Sequence, residues 1–91
     1  MPLSANTVSV TTADTIIFTP AGARIDDPIP VSIWNNDAAT TVYIGGLGVT
    51  TTAGFPLKAG TGLSFRLLTG DIIHGIVTTG TVDVRYLAGR Q

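Results

Sequence analysis

The sequence predicts an all-β domain, a small antiparallel β-sandwich or barrel of about seven to eight short strands, jelly-roll-like or Ig-like. Three observations predict it. Apolar and polar residues alternate with period two over short runs. Glycine, proline, asparagine and aspartate punctuate the chain roughly every ten residues. Threonine, whose branched Cβ suits a pleated and half-buried surface, recurs throughout. No segment sustains apolar residues three and four apart for ten residues without a glycine, so no helix is expected. The 91 residues suffice for one small domain, expected over residues 7–91 behind a flexible, polar N-terminal arm at residues 1–6.

The elements follow in order. Val8 and Val10 alternate with Thr7 and Ser9, and Ile16, Ile17 and Phe18 form a brief apolar run that Pro20 and Gly22 stop. In ARIDDPIP, Pro28 and Pro30 lack the amide donors of a ladder, so the segment reads as an edge strand or a turn. Val31 and Ile33 alternate with Ser32 and Trp34 until Asn35, Asn36 and Asp37 end the run. Val42 and Ile44 oppose Thr41 and Tyr43, and a glycine-rich connection follows with Phe55-Pro56-Leu57 as an apolar knuckle at its centre. Leu63, Phe65 and Leu67 against Ser64 and Arg66 make the clearest amphipathic strand. Thr69, Gly70 and Asp71 form a turn, Ile72 to Val77 an apolar run, and Thr79 and Gly80 another turn. Val82, Val84 and Tyr86 against Asp83 and Arg85 close the domain.

Composition narrows the function classes. Only 12% of residues are charged, about half the average for soluble domains. Glutamate is absent, Lys58 is the sole lysine and the net charge is −1, so little repulsion keeps copies apart. A surface of this kind suits a protein that works with much of it covered. The basic residues Arg24, Lys58, Arg66, Arg85 and Arg90 are scattered, which argues against nucleic acid as a direct ligand. No run approaches a membrane span, and MPLSANTVSVTT lacks the charged and apolar regions of a secretory signal, so no membrane partner is expected. There is no cysteine, hence no disulfide and no thiolate metal site.

The motifs carry no catalytic chemistry. The glycines between Thr41 and Phe65 miss the dinucleotide spacing and precede no helix, and Lys58 is not in a phosphate-loop context. Gly45, Gly46 and Gly48 read instead as positive-φ or close-approach positions where a strand turns away. His74, the one histidine, has no neighbouring nucleophile or ligand in the sequence and reads as an outward-facing strand residue. Asp26 and Asp27 read as caps of a turn before Pro28. No serine stands in a nucleophile elbow. Catalytic residues, metal and cofactor are all expected to be absent. Trp34 and Tyr43 suit an interface or the completion of a core equally well.

The turns and strands also form a pattern. Val42-Tyr43-Ile44-Gly45-Gly46, Val49-Thr50, Gly54-Phe55-Pro56-Leu57, Ala59-Gly60, Leu63-Ser64-Phe65, Gly70-Asp71, Gly75-Ile76, Gly80-Thr81 and Val82-Asp83-Val84-Arg85 together resemble small tailed-bacteriophage virion proteins of the head decoration, or cement, and minor structural type. The likeness covers residues 31–87, and His74 departs from it where that pattern often has tyrosine. It implies a non-enzymatic protein on the outer surface of the capsid, bound to the major capsid protein and to itself as a homo-oligomer, by analogy a trimer. A tail, baseplate or head-fibre role and a carbohydrate-binding module are the alternatives. Candidate interface residues are Trp34, Tyr43, Phe55 and Leu57, with Pro2, Leu3, Asn6 and Thr7 as a reaching arm.

Overall fold

The computed structural model describes residues 4–20, 28–68 and 71–89. They form eight strands: β1 (Ser4–Val10), β2 (Thr15–Phe18), β3 (Ile29–Asn35), β4 (Val42–Gly45), β5 (Phe55–Leu57), β6 (Gly62–Leu67), β7 (Ile73–Ile76) and β8 (Val82–Ala88). The first pairs with the last, the second with the seventh, the third with the sixth and the fourth with the fifth, all antiparallel. The chain is thus one long hairpin bent between β4 and β5. Two further pairings, β3 with β8 and β4 with β7, roll that hairpin into two four-stranded sheets. The first sheet runs β1-β8-β3-β6 and the second β2-β7-β4-β5. This is a jelly roll, one of the two sandwich forms the strand pattern left open.

The period-two pattern fixes which side of each strand faces in. β3 alternates buried and exposed through all seven residues, so Ile29, Val31 and Ile33 enter the core while Pro30, Ser32 and Trp34 face out. β8 contributes Val82, Val84 and Ala88 from the same sheet, and Val42, Ile44, Leu57 and Ile73 meet them from the other. Burying one such aliphatic side chain is worth roughly 1.5–3 kcal/mol. Phe18 and Tyr86 bridge the sheets, with ring centroids 4.9 Å apart and a tilt of 59°.

Asn35, the last residue of β3, is fully buried and ties three segments together. Its Nδ2 donates to the carbonyls of Thr40 (2.8 Å) and Leu57 (2.9 Å), and its Oδ1 accepts from the Asp37 amide (3.0 Å). Its backbone also bonds the turn before β6, donating to Thr61 and accepting from Gly60. An inward asparagine here lets both chain reversals leave the core with their polar groups paired.

Three expectations change. Ser4, Ala5 and Asn6 are ladder residues of β1, paired with Ala88, Leu87 and Tyr86, rather than a flexible arm, because β8 supplies a full-length partner. Ile29 and Pro30 open an interior strand rather than an edge. Pro30 is tolerated because it stands at the end of the β8 ladder, where only its carbonyl is used, by the Gly89 amide. The remainder of ARIDDPIP before Pro28, including Asp26 and Asp27, lies outside the described residues, as do Thr69 and Gly70 of the turn after β6. Phe55-Pro56-Leu57 is a short strand, β5, and not a loop knuckle. As the outermost strand of its sheet it pairs only with β4, which is where proline is admissible.

Candidate functional site

The outer face of the first sheet carries the largest exposed aromatic side chain described. Trp34 is 46% exposed, and its strand partner across the ladder is Gly62. A Cβ on Gly62 would lie 2.8 Å from the indole, so the missing side chain is what lets the ring lie over β6. On the other side Trp34 is level with Arg85 of β8, and Ser32 is level with Leu87, itself 45% exposed. Ser32 and Ser64 share a hydrogen bond of 2.8 Å across β3 and β6. Two shallow depressions of about 360 and 390 Å³ flank this serine pair, one walled by Trp34, Arg85 and Leu87, the other by Pro30, Arg66 and Leu87. Arg85 turns toward Asp83 (3.2 Å). The face is therefore apolar at Trp34 and Leu87, hydroxylated between them and cationic at its margins.

His74 occupies a different place. In the ladder it is level with Ile16 and Gly45, on the face of the second sheet away from the core, as the alternation implies. It is nevertheless only 5% exposed, which corrects the expectation of a solvent-facing residue. The cover comes from the β1–β2 turn and the β4–β5 loop. Nδ1–H of His74 donates to Asp14 Oδ1 (2.8 Å), and Asp14 Oδ2 accepts the Gly48 amide (3.0 Å). Gly48 adopts φ +81°, a conformation that presents its N–H to the carboxylate and that glycine tolerates best. The Gly48 amide, then the hydrogen bond and charge of His74, hold the Asp14 carboxyl below its usual range, while partial burial opposes them. Neither Gly45 nor Gly46 has positive φ. Gly45 gives close approach to Val49, and a Cβ at Gly46 would meet nothing.

Beside this pair an apolar mouth of about 640 Å³ opens between the sheets, lined by Ile16, Ile44, Leu47, Phe65, Leu67 and Ile72 with His74 and Asp71 at its margin. Among the described residues no three histidine, cysteine, aspartate or glutamate side chains gather in a way that would hold a metal ion. The contacts of His74 and Asp14 join two loops across β7.

The sequence candidates do not form one patch. Trp34 lies on the outer face of the first sheet. Tyr43 is half-buried on the outer face of the second, level with Pro56 and pressed against Gly54, where a Cβ would come within 2.7 Å of Tyr43 Cβ. Phe55 is 59% exposed at the end of β5. Leu57 is 3% exposed and belongs to the core, because it sits opposite Val42, so it is withdrawn as an interface residue. Asn6 and Thr7 are exposed on β1, and Pro2 and Leu3 lie outside the described residues. Leu87, Ile16 and Leu47 were missed, although Leu87 is legible once Val82, Val84 and Tyr86 are placed inward. No protein-family model matches this chain, and no curated protein matches its sequence.

Proposed function

We propose that this protein is a non-catalytic structural component of a tailed-phage virion, a head decoration protein that binds the outer surface of the capsid shell through the outer face of its β1-β8-β3-β6 sheet. The observation that carries the reading is the Trp34 and Leu87 surface, half-exposed apolar groups set on a rigid sheet with Arg66 and Arg85 around them. Interfaces concentrate their energy in such aromatic and arginine anchors. The charge-poor composition and the resemblance to small virion proteins support it. A jelly roll also supplies a suitable scaffold, since its faces are held by ladders on both sides and reorganise little on binding.

The test uses phage heads lacking this protein and the purified chain. Wild-type protein is expected to cosediment with the heads, and Trp34→Ala with Leu87→Ser to weaken that binding at least about tenfold, the effect of losing one anchor of roughly 1.4 kcal/mol. Unchanged cosedimentation by a folded double variant would remove this face from the interface. Cryo-EM density on the tail alone would replace the head role with a tail or baseplate role. A second reading, a carbohydrate-binding module, rests on the indole of Trp34 beside the Ser32 and Ser64 hydroxyls. Saturable binding on a glycan array, lost in Trp34→Ala, would favour it over the decoration role.

A further inference from the structure

A sandwich of two open sheets has four edges, and three of them are blunted here. β5 has three residues and contains Pro56. β2 has four, and its register shifts between Ile16 and Phe18. β6 begins at Gly62 and carries Arg66. Short length, proline, irregular register and charge are the usual devices that keep an edge from pairing. The fourth edge, β1, has none of them. It is seven residues long, SANTVSV, uncharged, free of proline and glycine, and in unbroken register with β8 from Ser4↔Ala88 to Val10↔Val82.

The side of β1 that no described strand covers is identifiable. The Gly89 amide donates to Pro30, and the Asn36 amide to Asp83, so the odd-numbered residues of β8 direct their backbone groups toward β3. Alternation turns the even-numbered ones toward β1. Asn6 and Val8 of β1, which face Tyr86 and Val84, are therefore the residues that bond β8. Ala5, Thr7 and Ser9 direct theirs outward. The Thr7 amide confirms the direction, since it donates to the side chain of its own neighbour, Asn6 Oδ1, at 2.8 Å.

We infer that β1 pairs with β1 of a second copy of this chain, antiparallel about a two-fold axis at Thr7, joining two first sheets into one continuous sheet. Thr7 then exchanges both backbone bonds with Thr7 of its mate, and Ala5 and Ser9 exchange theirs with Ser9 and Ala5, about six bonds in all. A second copy fits because a two-fold sets each group against its own kind or against a near neighbour, and β1 offers nothing that repels itself. Small residues meet small ones on the outer face, and threonine opposite threonine is a favourable cross-strand pair. The nearest charges, Arg85 and its symmetry mate, are three strand spacings apart, roughly 14 Å, beyond the Debye length at physiological salt. Asn6 occupies the Thr7 amide in the isolated chain and gives it up to the mate's carbonyl. Such a dimer forms wherever the protein sits in a particle, and it stands in place of the trimer implied by the resemblance.

Sedimentation equilibrium as a function of concentration tests it. The wild type is expected to be a dimer. Thr7→Pro deletes only the outward amide, leaving the β8 ladder intact, and is expected to raise the dimer dissociation constant about 30-fold or more through two lost central bonds. Thr7→Lys sets two ammonium groups across the axis and is expected to do the same. Far-UV circular dichroism must match the wild type for each variant, and if the proline variant does not fold, the lysine variant decides. A monomeric or trimeric wild type, or folded Thr7 variants that dimerise as the wild type does, would overturn the inference.

Discussion

Asp14 and His74 show how a single polar pair sets the behaviour of two loops. The Asp14 carboxylate takes one bond from the Gly48 amide and one from His74, and the first of these is the larger reason its pKa is lowered. Asp37 is lowered in the same direction, by the amides of Ala39 and then Thr40. A carboxyl whose folded pKa lies below its unfolded value of about 3.9 binds its proton later in the folded state than in the unfolded one. Its stabilisation is complete above that unfolded value and is lost as pH falls through the folded one. The urea midpoint is therefore expected to fall as pH is lowered from neutrality to below about 4. Asp14→Asn and Asp37→Asn should each lower the midpoint at neutral pH and flatten its decline in acid. A variant with the wild-type slope would show that its carboxylate contributes nothing to the fold.

At the scale of elements, the strands that alternate cleanly were legible, because one apolar face repeated over six or seven residues specifies both the strand and its register. β6, β8 and the part of β3 from Val31 onward are of this kind. β5 was not legible: three residues with a central proline carry no periodicity, and its pairing to β4 comes from the long hairpin around it rather than from its own sequence. For the same reason Phe55 and Leu57 looked equivalent. Both point toward the inner face, but Phe55 lies at the sheet's open end and Leu57 against Val42. The buried His74 and the Asn35 hub were also hidden, since the groups that enclose them come from segments far away in the chain. The two β5 positions now separate. Leu57→Ala is expected to cost about 2–4 kcal/mol of stability through the lost side chain and the cavity it leaves, and Phe55→Ala less than about 1 kcal/mol. Equal losses in denaturant titrations of the two variants would place Phe55 in the core as well.

At the scale of the whole molecule, the topology makes the two chain ends depend on each other. β8 lies between β1 and β3, so the first sheet is not complete until the last strand has entered between the first and the third. The second sheet has the same construction, with β7 between β2 and β4. The side chains that close the core, Val10 from the first strand and Val82, Val84 and Ala88 from the last, come from opposite ends of the sequence. Neither sheet can bury its inner face without the other, and the apolar gain arrives only after long loops have closed. Unfolding is therefore expected to be all-or-none, with Trp34 fluorescence and far-UV circular dichroism giving one coincident transition in urea. Refolding should be a single phase in the millisecond-to-second range typical of non-local β-sandwiches. Two separated transitions, or a microsecond refolding phase that recovers the full signal, would mean that part of this roll stands by itself, against the dependence of each sheet on strands from both halves of the chain.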